Sequence, residues 1–177
     1  TDEKQFPDGH MLAGEFFLFR ARAFDLARAQ YEAGMKAFPN DKGAYQKRIV
    51  ELLAITGKNP DANNLLNSII SENPKDSDAI AMRAALMLQT GTAEQIKQAA
   101  DDLQSLVSKN PDNHLLRFNL ARAYLARGDV EQARLQLEAA IKIRTDFLVA
   151  RQLLARIYLA KGDPARALKE SDEILSL

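Results

Sequence analysis

Two sets of side chains in this sequence have the types and spacing to do chemistry. One is the adjacent carboxylates Asp101 and Asp102; the other is a recurring series of cations, Arg117, Arg122, Arg127, Arg151, Arg156 and Lys161. Paired carboxylates can divide acid and base roles between them when their environments push their pKa values apart. Successive positions on a helix diverge by about 100°, however, so Asp101 and Asp102 read as a solvated face. Arginines offer a planar fork of N–H donors that suits carboxylates and phosphates. The two histidines, His10 and His114, are too far apart in the chain to share a site if distant segments do not touch, and cysteine is absent. No phosphate-cradling glycine loop, Gly-x-Ser-x-Gly elbow or His-Glu-x-x-His occurs. The chain therefore reads as non-enzymatic, with no catalytic residue, no metal site and no cofactor expected. The cations remain as candidates for binding.

Those cations are periodic. Arg117 and Arg151, Arg122 and Arg156, and Arg127 and Lys161 are each separated by 34 residues, and the sequence around them repeats with them: LARAYLARGD at 120–129 returns as LARIYLAKGD at 154–163. A fixed 34-residue period of small, aromatic and Gly-Asp positions is the mark of a stacked helix-turn-helix array. The elements that position the cations are thus the first helices of successive hairpins. The predicted fold is all-α, a right-handed superhelical solenoid of antiparallel helix pairs with almost no strand.

The most regular unit, 114–147, begins with a helix over His114–Arg127, stopped by Gly128 in the left-handed conformation. Asp129 is expected to cap the second helix in a box with Gln132. The last unit, 148–177, follows the same plan with Gly162, Asp163 and Pro164, and is truncated or uncapped at its end. Residues 43–76 make a unit turning at Gly57. Residues 77–113 make another, with Thr92 and Gln95 as a capping box and about three extra residues that lengthen its second helix or widen its turn. The first unit, about 7–41, has its small residue at Gly14 and turns at Ala21-Arg22-Ala23 without a glycine, which leaves its register open by one residue. Breaks at Pro39, Pro74 and Pro111 fall at near-equal spacing, which a four-helix bundle has no reason to show.

This pattern resembles the tetratricopeptide repeat (TPR) family over nearly the whole chain. The family's small eighth position corresponds to Val50, Ala84, Ala121 and Ala155, and its large eleventh to Leu53, Met87, Tyr124 and Tyr158. Its twentieth corresponds to Ala62, Ala99, Ala133 and Ala167, and its twenty-fourth to Leu66, Leu103, Leu137 and Ser171, of which only the last departs. Small residues let paired helices approach, and large ones fill the space between them. The usually bulky fourth position is Arg117 and Arg151 here, another departure. The pentatricopeptide array shares the hairpin and nearly the period, but balanced charge and Gly-Asp turns favour the TPR reading.

The resemblance implies a protein or peptide partner held on the inner face of the first helices. By helical angle, positions two, five, nine, twelve and thirteen share one face. The candidate groove residues are accordingly Lys47, Glu51, Asp78, Leu88, Leu115, Phe118, Arg122, Leu125, Gln152, Arg156 and Leu159, with Val149 beside them. Of the cations, only Arg122 and Arg156 fall on this face. Arg127 and Lys161 complement the helix macrodipole, and Arg117 and Arg151 are expected to pair with carboxylates such as Asp102 and Glu138. An apolar groove with two cations implies an apolar or amphipathic occupant bearing an acid. The family's clamp for the acidic tail of heat-shock chaperones is not matched, because Glu51, Met82 and Leu115 stand where its donors belong, so that partner is not expected.

Lys plus Arg and Asp plus Glu number 24 each, so no net field draws the chain to nucleic acid. No apolar run approaches the roughly 18 to 20 residues of a membrane helix, and direct membrane insertion is not expected. The chain is expected to be soluble, in a cytoplasmic or periplasmic location that the sequence leaves open, and to lack its native N-terminus.

Aromatics crowd the first unit at Phe6, Phe16, Phe17, Phe19, Phe24, Tyr31 and Phe38, and Ile174 and Leu175 lie on an uncovered last helix. Both suggest array ends that meet further repeats or a second copy in a homo-oligomer, as in a slice of a longer array. The segment GEFFLFRARAFDLARAQYEAGMKAFPND resembles units of long bacterial TPR proteins, some of them lipoproteins linked to exosortase and polysaccharide export. The alternative to a peptide-binding module is therefore a spacer or assembly segment of such a protein.

Overall fold

The computed structural model describes residues 8–176, and among them there is no strand. The helices are α1 (Gly9–Glu15), α2 (Phe24–Ala37), α3 (Lys42–Ile55), α4 (Asn59–Glu72), α5 (Ser77–Thr90), α6 (Ala93–Lys109), α7 (His114–Arg127), α8 (Val130–Ile143), α9 (Leu148–Ala160) and α10 (Pro164–Leu175). Consecutive helices pack as pairs, and the chain divides into two compact units, 1–79 and 80–177.

In the first unit the core is built from Leu18, Ala27, Tyr31, Tyr45, Ile49, Val50, Leu53, Ala62, Leu66 and Ile69. The register left open in the sequence is resolved by a π-helical turn at Phe16–Arg20, in which the Ala21 amide donates to the Phe16 carbonyl at 3.0 Å. Such a turn inserts one residue into the helical period. The turn that follows has no glycine, and Arg22 itself takes the left-handed conformation, with φ 51°.

The second unit carries two apolar clusters. One joins Ala84 and Met87 of α5 to Ala99, Leu103 and Val107 of α6 and Leu116, Leu120 and Ala123 of α7. The other joins Ala121 to Ala133, Leu137 and Ala140 of α8, Ala150, Leu154 and Tyr158 of α9, and Ala167 of α10. The small positions are where the helices touch: Ala84, Ala99, Ala121 and Ala133 are fully buried. Ser171, the departure at the twenty-fourth position, is half-buried and turns its hydroxyl onto the Ala167 carbonyl at 3.1 Å. Replacing Ala121 by Leu is therefore expected to overpack the α7–α8 contact and lower stability by about 2 kcal/mol. Replacing the half-buried Arg122 by Leu should leave it nearly unchanged. Urea midpoints that fall equally for the two variants would contradict this register.

The extra residues after the α5 turn extend α6 to 17 residues, one turn more than the 14 of α7 and α8. The box predicted at Thr92 and Gln95 forms in full, and Asp163 accepts from the Arg166 amide at 3.0 Å. That amide, followed by the Arg166 guanidinium, holds the Asp163 carboxyl below the usual carboxylate range. The predicted Asp129–Gln132 box does not form. Asp129 makes no side-chain cap, because its carboxylate is drawn to Arg127 at 3.2 Å. At the equivalent place 34 residues on, Lys161 pairs with Glu131 instead, and Asp163 caps while also pairing with Arg166.

Of the carboxylate partners expected for Arg117 and Arg151, Arg151 finds one, though neither Asp102 nor Glu138, and Arg117 finds none among the described residues. Arg117 donates to the Pro111 carbonyl at 2.7 Å and to Gln136 at 3.0 Å. Arg151 donates to the Thr145 carbonyl at 2.9 Å and pairs with Glu170 at 2.7 Å. Asp102 is taken by Arg83 at 2.8 Å, and Glu138 by Arg134 and the Tyr158 hydroxyl. Arg117, Arg151 and Arg83 each reach across their own hairpin to a residue 19 positions on, Gln136, Glu170 and Asp102, so the two fourth-position departures and Arg83 tie paired helices together.

Candidate binding cleft

The first helices α7 and α9 each expose one face, because their opposite faces are consumed by Leu116, Leu120, Ala121 and Ala123 on α7 and by Ala150, Leu154, Ala155 and Tyr158 on α9. None of the residues assigned by helical angle to the groove face is buried. Between the two helices lies a cleft of about 380 Å³ lined by Phe118, Arg122, Leu125, Val149, Gln152, Leu153 and Arg156. Its walls are apolar with two guanidiniums and one amide.

Of the residues singled out in the sequence, Phe118, Arg122, Leu125, Gln152 and Arg156 are brought together here. Phe118, Leu125 and Leu153 also lean on the core, and Phe118 meets Phe147 edge-on with 5.2 Å between ring centroids. Val149 is half exposed. Leu153 was not assigned to the groove, although it lies four residues after Val149 and three before Arg156. That is the spacing of a common helix face.

The other candidates are placed elsewhere. Leu115 opens onto a separate hollow with Asn113, His114 and the loop before them. Leu159 is exposed outside the cleft, and Leu88 packs against the core cluster that contains Met87. Lys47, Glu51 and Asp78 belong to the first unit, where their charges are already matched. Lys47 lies 3.3 Å from Asp76 and 3.2 Å from Asp78, and Glu51 lies 2.9 Å from Arg48. Burial acts to lower the Lys47 pKa, but hydrogen bonds and charge from Asp78 and Asp76 outweigh it and hold the ammonium above the usual lysine range.

Among the described residues, the cleft cations differ from their neighbours in lacking a counter-charge. Arg127 and Arg151 pair with carboxylates, and Arg117 is held by a carbonyl and an amide. Arg122 donates only to Asn119 at 3.3 Å, and neither Arg122 nor Arg156 forms an ion pair among the described residues. No described group of His, Asp and Glu could hold a metal ion. No described helix is long and apolar enough to cross a membrane.

Residues 92–147, which include α6, α7 and α8, match the family model described as tetratricopeptide repeat. No curated protein matches the chain by sequence. Among solved structures, the chain is similar to MamA 41-end from Desulfovibrio magneticus RS-1, with a TM-score of 0.75 and 18% identity, over 100% of this chain and 96% of that one. It is also similar to TTC0263, a thermophilic TPR protein in Thermus thermophilus, with a TM-score of 0.75 and 20% identity, over 98% of this chain and 90% of that one. A third likeness is to a tetratricopeptide repeat protein from Parabacteroides merdae ATCC 43184, with a TM-score of 0.73 and 18% identity, over 98% of this chain and 67% of that one. At these identities the likeness shows the fold. Because the first two solved chains are covered over nearly their whole length, it lends no support to the reading of this chain as a slice of a longer array.

Proposed function

We propose that this chain is a non-enzymatic protein-interaction module that holds a peptide or a partner's helix in the cleft between α7 and α9. The observation that carries this reading is the coincidence of an apolar cleft of about 380 Å³ with two arginines that have no acidic partner among the described residues, on helices flanking and within the tetratricopeptide repeat match. Concave, mostly apolar sites with a few converging polar groups are where ligands bind. The module class itself fits the repeat fold, in which α7 and α9 each keep one face open to a partner.

The test is a selection of random displayed peptides on the purified chain, repeated on Val149→Asp. Val149 is 48% exposed, so the substitution leaves the core intact while placing a carboxylate on the apolar wall. Peptides enriched on the unaltered chain should lose roughly tenfold in affinity on the variant, a difference of about 1.4 kcal/mol. Binding indifferent to Val149→Asp would remove the cleft as the site.

A second reading, a spacer or assembly segment, draws on the large apolar side chains left open on the first and last helices of the chain. Leu12, Phe16 and Phe19 are more than half exposed, as are Leu168 and Leu175. Exposed apolar groups clustered on terminal elements suit docking to further protein. A role for those ends in place of the cleft is what an indifferent Val149→Asp variant would leave.

A further inference from the structure

The geometry points to the chemistry of the occupant: we propose that the cleft selects a peptide segment carrying one carboxylate flanked by large apolar side chains, with the acid seated between Arg122 and Arg156. This rests on the module reading above and deepens it.

Three observations converge. First, Arg122 and Arg156 stand 34 residues apart at the same position of successive hairpins and line the same cleft. Two like charges facing one concavity raise its potential and draw an anion into it. Second, neither is neutralised from within. The carboxylates of α8 and α10 that form ion pairs form them elsewhere, Glu131 with Lys161 and Arg134, Glu138 with Arg134, and Glu170 and Glu173 with Arg151. Third, the rest of the lining is Phe118, Leu125, Val149 and Leu153 with one neutral amide, Gln152. A small hydrophilic anion would leave these apolar groups uncovered, whereas an apolar segment without an acid would bury the two guanidiniums against hydrocarbon without a partner, which is unfavourable.

Apolar contact then supplies most of the affinity and the arginines supply selection, since charges at a half-open site discriminate among ligands more than they tighten them. A carboxylate accepts two N–H donors from each guanidinium fork, and a single acid can bridge both. The paired positions thus read one acid in an apolar context, a rule set by this chain's own two arginines. The equivalent place on α5 is Ala85, so the charged stretch is confined to α7 and α9.

The experiment is a random nonapeptide display selection carried out in parallel on the unaltered chain, on Arg122→Glu/Arg156→Glu, on Arg122→Gln/Arg156→Gln and on Val149→Asp. The unaltered chain should enrich peptides with one Asp or Glu between large apolar residues. Changing that acid to its amide should weaken binding about tenfold. The Glu pair should enrich Lys or Arg at the same place, and the Gln pair should lose the charge preference while keeping the apolar one. The Gln pair guards against misfolding in the reversed variant, and circular dichroism checks both. Enriched peptides that depend on Val149 but carry no acid, or that bind the Glu pair equally, would overturn the acid assignment and leave the module reading standing. Failure of any peptide to enrich on the unaltered chain would overturn both.

Discussion

Removing the Glu170 carboxylate, as Glu170→Ala, is expected to lower the stability of the C-terminal unit by about 3 kcal/mol. Arg151 and Glu170 form the most buried of the ion pairs described, with side chains only 9% and 15% exposed and 2.7 Å between them. The arginine's stem fills space at the α9–α10 contact, and its guanidinium is completed by the Thr145 carbonyl and, at 3.5 Å, by Glu173. Without Glu170 the buried charge keeps one carbonyl and one distant, half-exposed carboxylate, which do not replace what was lost. Removing both charges at once, as Arg151→Met with Glu170→Leu, should be close to neutral, because apolar groups of similar volume carry no desolvation penalty. Urea denaturation followed by circular dichroism separates these cases. A double variant as unstable as the single one would show that packing around the stem, and not the stranded charge, sets the loss.

Gly34→Ala should cost the N-terminal unit about 2 kcal/mol by overpacking, whereas Gly43→Ala should raise its stability by about 0.5 kcal/mol. A Cβ built on Gly34 would lie 2.3 Å from Cε1 and 2.4 Å from Cζ of Tyr45, a buried ring on the facing helix. A methyl there must push the ring or part α2 from α3. A Cβ on Gly43 meets nothing within 4 Å, so that substitution acts only by restricting the unfolded chain. Gly14 repeats the Gly34 arrangement against Tyr31, whose fully buried hydroxyl has no hydrogen-bond partner and is pushed up to about 12, chiefly by burial. Thermal melts of the two glycine variants that move in the same direction would refute this close approach.

Much of the fold was legible because its contacts recur. Ala121 and Ala155, or Leu103 and Leu137, occupy the same place in successive hairpins, so periodicity alone assigned them to the buried face. Local capping was legible where one side chain had one task, as at Thr92 and Asp163. It failed at Asp129, where Arg127 competes for the same carboxylate. The first unit resisted because a π-helical turn adds a residue that no motif announces, and because Arg22 adopts a backbone conformation the sequence would assign to glycine. Of the candidate groove, the angular argument leaves no proposed position buried, although Leu88, Phe118 and Leu125 pack against core residues. It could not tell which of those positions share a cleft.

The sequence by itself determined most of the helices and their pairing, since these follow from a 3.6-residue period and from small residues at fixed offsets. Tertiary structure decided how the charges are spent. Lys47 and Asp78, read as groove residues, are matched to each other across a helix contact, while Arg122 and Arg156 have no ion pair among the described residues. Ion pairing depends on side chains 19 to 31 residues away, such as Glu170 for Arg151 and Asp78 for Lys47, reaching across a helix contact to within about 3 Å of one another. A helical period fixes the direction in which a side chain leaves its own helix, but it does not fix what waits there.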